Sequence, residues 1–206
     1  MTEAREYWDG VYSRRKPTEV SWFQPSPMVS LAMIEALGIK TNAPIVDVGG
    51  GASTLVDGLL TRQYTSVTVL DVAAPALDAA RARLGDKAAS VEWVVHDITT
   101  WRPGRHFAFW HDRAVFHFLT TKDARAGYLA ALKSGVIVGG SVIIATFALD
   151  GPETCSGLPV RRYDAALLAA ELGPDFALEE TRTEAHVTPG GSVQHFIYNR
   201  FRHTGS

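Results

Sequence analysis

The chain has little cysteine, no excess of charge of one sign and no long hydrophobic run. A single cysteine, Cys155, excludes an internal disulfide framework and any metal site built from cysteines alone, and fits a reducing compartment. Lysine and arginine number 20 against 22 aspartates and glutamates, a formal charge of −2, so no net positive field draws the chain to nucleic acid or to an anionic membrane. No stretch approaches the apolar length of a membrane span. The first ten residues, acidic, aromatic and polar, lack the basic-then-apolar order of a signal peptide. A cytoplasmic protein, monomer or homodimer, is expected. Repeats, low-complexity tracts and linker-like shifts of composition are missing too. The 206 residues are therefore expected to form one domain, 1–206.

What is present is a regular alternation of short apolar runs and helical periods. Ser26 and Pro27 open a helix whose apolar residues Met28, Leu31, Ile34 and Leu37 recur up to Gly38. The run Ile45-Val46-Asp47-Val48 meets Gly49-Gly50-Gly51 and then a capped helical start at Ser53. A second strand ends at Asp71 and is followed by a helix from Pro75 to Leu84 closed by Gly85. Further strands are expected at 91–98, 107–111 and 140–147, with helices at about 123–133 and 164–172. Two last strands, 176–183 and 192–201, flank Pro189-Gly190-Gly191. Near-continuous apolar strands separated by helices predict an α/β fold: a doubly wound, mostly parallel seven-stranded sheet, antiparallel at its C-terminal end, with helices on both faces.

In open α/β sheets the ligand lies outside the carboxyl ends of the strands. Asp47, Asp71, Asp97 and Asp112 each stand at such an end. Any one of them could simply cap a turn, whereas the set points to a shared ligand. A dinucleotide pyrophosphate is disfavoured, because Asp47 precedes the glycines by two residues and Ser53 stands where a third fingerprint glycine is needed. A ligand with ribose hydroxyls, an amino group and a sulfonium, and no phosphate, suits the carboxylates better.

Asp47-Val48-Gly49-Gly50-Gly51-Ala52-Ser53 resembles the acid-x-Gly-x-Gly-x-Gly motif of the class I S-adenosylmethionine-dependent methyltransferases, departing from it only at Ser53. The resemblance spans about residues 40–147, which makes this stretch the cofactor-binding core, 1–38 a helix and lid region, and 148–206 an acceptor loop with the terminal strands. It implies S-adenosylmethionine as cofactor and S-adenosylhomocysteine as product. Gly49 and Gly51 would let the backbone approach the methionine part, Asp47 would orient its ammonium, Asp71 would bind the ribose hydroxyls, and Asp97 with Ile98 would border the adenine. Trp22, Ser53, Val72 and His111 join this cofactor-binding set.

Acceptor chemistry is sought after strand four and in the covering segments. If the run after Asp112 is helical, Arg113 and His117 share a face at i, i+4. His111 or His117 is then a candidate general base and Arg113 a candidate anion holder, unless the histidines are satisfied within the core and Arg113 pairs with Asp112. Trp8, Tyr12 and Phe23 belong to a possible aromatic lid suited to a sulfonium, or to a helix held down by its aromatic side. Cys155, Arg161 and Tyr163 follow strand five, where the acceptor pocket is expected. Cys155 is read as a small buried side chain or a pocket wall, not as a nucleophile. No histidine or cysteine spacing suggests a metal. A small-molecule acceptor is the leading expectation. The alternatives are a protein side chain, lysine or another, and a cofactor-binding interaction domain without turnover.

Overall fold

The computed structural model describes residues 3–205. Helices α1 (Glu3–Arg14) and α2 (Met28–Ala36) precede β1 (Ile45–Val48), α3 (Leu55–Thr61), β2 (Val67–Asp71), α4 (Ala74–Leu84), β3 (Val91–Val95) and β4 (Phe107–Arg113). Then come α5 (Lys122–Gly135), β5 (Val136–Phe147), a two-residue pair β6 (Thr154–Cys155) and β7 (Leu158–Pro159), α6 (Ala165–Leu172), β8 (Phe176–Val187) and β9 (Val193–His203). The seven long strands lie in the order β3-β2-β1-β4-β5-β9-β8. The first five are parallel, and β9 runs antiparallel to both β5 and β8.

Alternating residues of the central strands feed two separate cores. Ile45, Val69, Phe109 and Ile143 pack with Leu31, Leu55 and Leu59 on one face. Val46, Leu70, Trp110 and Ile144 pack with Tyr128, Leu132 and Leu168 on the other. A strand buried on both faces favours apolar residues on each, which is why β1, β2 and the second half of β5 read as near-continuous apolar runs, interrupted at Asp47, Thr68, Asp71 and Thr146. Side-chain caps open the two helices of the second face: Thr121 accepts from the Ala124 N–H, and Asp164 from the Leu167 N–H. Among the described residues no helix is long and apolar enough to cross a membrane.

Three boundaries differ from expectation where function is concerned. Strand β4 continues through Asp112 to Arg113 because these residues pair with Ile144 and Ala145 of β5. Ala114 then turns at φ 72° and only a short 3-10 turn, Phe116–Phe118, follows. Arg113 and His117 therefore do not share a helical face. Strand β3 stops at Val95, leaving Asp97 in the turn beyond it. The covering loop also holds the β6–β7 hairpin, which no periodicity marks.

Candidate active site

The carboxyl ends of β1, β2 and β4 open on a cavity of about 360 Å³. Val72, Asp97, Ile98, Asp71 and Gly49 border one part; Trp8, Phe118, Cys155, Leu158 and Pro159 are among the side chains bordering the rest. A smaller cavity of about 50 Å³ is bordered by Ser30, Asp47, Gly50, Ser53 and His111. Tyr12, Trp22, Gly49 and Arg113 stand in the walls of both. Phe23 borders only the smaller one, away from the acceptor position expected for it.

The glycine turn is shaped by what surrounds it. Gly49 has φ 67°, and a Cβ there would lie 1.9 Å from Cγ2 of Val115. A Cβ on Gly50 would fall 2.5 Å from Oδ2 of Asp47, and one on Gly51 2.7 Å from Oδ2 of Asp71. The turn thus lets two buried carboxylates lie directly against the main chain. Ser53, the departure from the glycine motif, accepts a hydrogen bond from the Leu55 N–H at 3.1 Å and opens α3.

The four strand-end acids separate into two kinds. Asp47, Asp71 and Asp97 border the cavities. Asp71 accepts from the Ala73 N–H at 2.8 Å. Burial pushes its carboxyl up to about 7, against the pull of that N–H, and neighbouring Asp47 adds to the rise. Asp97 accepts from the Thr99 N–H and hydroxyl at 2.9 and 2.7 Å. Asp112 turns away: its carboxylate takes the N–H groups of Val115 and Phe116 at 2.9 and 3.1 Å and lies beside Tyr128. The reading of four acids on one ligand is corrected to three, because the fourth holds the turn after β4.

Arg113 donates from Nε to the Tyr198 hydroxyl at 2.8 Å and from Nη1 to the Trp22 carbonyl at 3.1 Å, and it lies over the Phe196 ring. Glu184 stands 3.6 Å from Nη2, which is buried and has no hydrogen-bond partner. His117 is fully buried, and its Nδ1 accepts the Phe147 N–H at 3.4 Å. Burial first, then the Arg113 charge, holds its imidazole down to about 3. It is withdrawn from the cavity wall, which counts against the expected general base. Arg161 pairs with Glu171 at 3.3 Å and covers Tyr163, itself fully buried against Phe116. Tyr163 lies in the α6-side core with Arg161 half-exposed over it, and neither borders a cavity, a correction to their expected acceptor role.

The Cys155 thiol borders the cavity, and burial pushes it up to about 11, so it remains a thiol at neutral pH. Trp8 meets Trp22 and Phe118 edge to face at 5.6 and 5.1 Å, so α1 contributes aromatic wall as well as packing. Ser30, Gly50, Val115 and Leu158 are wall residues absent from the expected set; Gly50 is a variable position inside the motif, and the other three have no sequence spacing that ties them to it.

Residues 45–136 match the family model of a methyltransferase domain. The matched stretch runs from β1 to the start of β5, and over it the chain is similar to methyltransferase domains. No curated protein matches it by sequence. Among solved structures, an S-adenosylmethionine-dependent methyltransferase from Anabaena variabilis superposes with a TM-score of 0.77 at 15% identity, over 98% of this chain and 96% of that one. A protein described for the conversion of a disulfide bond into a thioacetal group during echinomycin biosynthesis gives 0.74 at 19% identity, over 99% and 94%. The 1,6-didemethyltoxoflavin N1-methyltransferase of Burkholderia thailandensis, solved with its substrate and S-adenosylhomocysteine, gives 0.67 at 20% identity, over 98% and 84%. At these identities the likeness is one of fold.

Proposed function

We propose that the protein transfers a methyl group from S-adenosylmethionine to a small-molecule acceptor lodged in the aromatic part of the larger cavity. The observation that carries this is the continuity of one cavity: its acid-bordered part runs into a chamber walled by Trp8, Phe118, Cys155 and the β6–β7 hairpin. Its volume suits compact ligands. The toxoflavin-precursor enzyme is a small-molecule methyltransferase on the same fold. The lone thiol and near-neutral charge suit a cytoplasmic setting.

The residues fit the cofactor by what they leave unsatisfied. Asp47 Oδ2 is buried without a hydrogen-bond partner, an acceptor for an ammonium, and Arg113 Nη2, paired with Glu184 at 3.6 Å but making no hydrogen bond, keeps a donor for a second carboxylate. Asp71 accepts the ribose hydroxyls, Asp97 borders the adenine amino group, and Val72 and Ile98 supply apolar contact. When bound, the cofactor supplies an electrophilic methyl on a sulfonium. The chain's task is then alignment and exclusion of water. Trp8, Trp22 and Phe118 exclude water around the acceptor, while Arg113 fixes the Trp22 backbone through its carbonyl. With His117 withdrawn and both His111 ring nitrogens engaged by Asp47 and Ser30, the acceptor enters already unprotonated at its nucleophilic atom, its proton having passed to solvent before the site closes.

The test uses cofactor labelled in the methyl group, incubated with the protein and a cell extract separated by size. Label is expected in the small-molecule fraction. Label confined to polypeptide would replace this reading with a protein acceptor.

A further inference from the structure

We propose that Ser30 and His111 are positioning residues that set Asp47 for the cofactor's ammonium group, through a buried chain of hydroxyl, imidazole and carboxylate. The proposal rests on the cofactor placement given above and adds to it two residues of the smaller cavity's wall that act on the cofactor by holding Asp47. His111 Nδ1 lies 2.7 Å from Asp47 Oδ1, and its Nε2 lies 2.9 Å from the Ser30 hydroxyl. Exposure is 0% for Ser30, 3% for His111 and 2% for Asp47, so water does not compete for these contacts. The carboxylate oxygen can only accept, so Nδ1 carries a proton; in the neutral ring Nε2 then accepts from the Ser30 O–H. Each polar side-chain atom of the three residues is thereby used except Asp47 Oδ2.

The glycine turn does not use that oxygen either. The N–H groups of Gly49 and Gly50 both go to the Leu70 carbonyl, at 2.7 and 3.2 Å. Oδ2 is left as an oriented acceptor on an immobilised carboxylate. An ammonium arriving there finds its partner already placed, so little ordering opposes binding. Without Ser30 the imidazole loses the partner that fixes its ring, and without the imidazole the carboxylate is free to rotate away from the cavity. The order of groups matches that of a hydrolytic triad, but the nearby N–H groups of Gly49 and Gly50 are already bonded and cannot stabilise an oxyanion beside Ser30. Ser30 lies on α2, 81 residues from His111, so no motif links them.

The test compares two ligands on the full chain by calorimetry: S-adenosylhomocysteine, and methylthioadenosine, which keeps the nucleoside and sulfur but lacks the amino-acid part. Ser30→Ala, a mild change within a helix, is expected to weaken S-adenosylhomocysteine about tenfold and to leave methylthioadenosine unchanged. His111→Phe, which keeps a ring and removes both hydrogen bonds, should show the same selectivity with a larger loss, and Ser30→Thr should restore affinity. A purely structural role would weaken both ligands together. Equal losses, or none, in Ser30→Ala would overturn the positioning role. A wild-type protein that binds neither ligand would instead overturn the cofactor placement itself, so the two failures are distinguishable.

Discussion

Asp112→Ala is expected to lower the unfolding free energy by about 2–4 kcal/mol, one of the largest effects of any polar substitution in the protein. The side chain is fully buried and accepts from Val115 and Phe116, with the Tyr128 hydroxyl beside it. Alanine would leave those donors without an acceptor in a core that water does not reach, and each such donor carries its own desolvation penalty. The same turn places Val115 and Phe118 in the cavity wall. Cofactor affinity should therefore fall along with stability, although Asp112 borders neither cavity. Denaturant titration checks the first effect and calorimetry the second. A change in stability within about 0.5 kcal/mol would show that the turn holds without its acid.

Asp71→Asn is expected to do two opposite things. It should weaken S-adenosylhomocysteine by about 1–3 kcal/mol, through loss of charged hydrogen bonds to the ribose. It should also stabilise the empty protein at neutral pH by about 1–2 kcal/mol. The reason is burial, which pushes the Asp71 carboxyl up from the ordinary carboxylate range to about 7. A carboxyl raised on folding binds its proton more tightly in the folded chain. Its contribution to stability is complete below the unfolded-state pKa, near 4, and is lost as pH rises through about 7. Acidification across that window should firm up the empty protein through Asp71, whereas cofactor binding, which uses the carboxylate, should strengthen as pH rises through the same window. The amide, which does not titrate, would remove Asp71's part of both slopes. Melting and binding curves across this pH range check the signs. A variant that is less stable when empty and binds unchanged would contradict both the placement of the ribose and the cost of burying the charged acid.

The sheet was legible because its strands are buried on both faces, which imposes apolar runs, and because glycine and proline punctuate the joints between elements. The acids were legible as strand ends, and Asp47, Asp71 and Asp97 do border the cavities. Asp112 misled because a strand-end carboxylate can face the ligand or its own following turn, and only β4's extension to Arg113 decides which. His117 misled for a related reason. Helical spacing beside Arg113 pointed to a shared face, yet Ala114 at positive φ breaks the helix and drops the ring behind Phe118. Arg161 and Tyr163 follow the covering loop in sequence, but the chain has already turned towards α6 when it reaches them. Ser30 carried no local signal at all, since its partner lies on a strand brought beside α2 only by the folded sheet.

At the centre stands the proposal that the two neighbouring cavities, which share walls at Tyr12, Trp22, Gly49 and Arg113, receive S-adenosylmethionine with its nucleoside against Asp71 and Asp97 and its amino-acid head between Asp47 and Arg113. The most direct measurement is a calorimetric titration of the folded protein with S-adenosylmethionine and, separately, with NAD. Saturable one-to-one binding of S-adenosylmethionine is predicted, with no heat from NAD, whose pyrophosphate the buried Asp47 would repel. Binding of NAD, or silence from S-adenosylmethionine in folded protein, would contradict the claim.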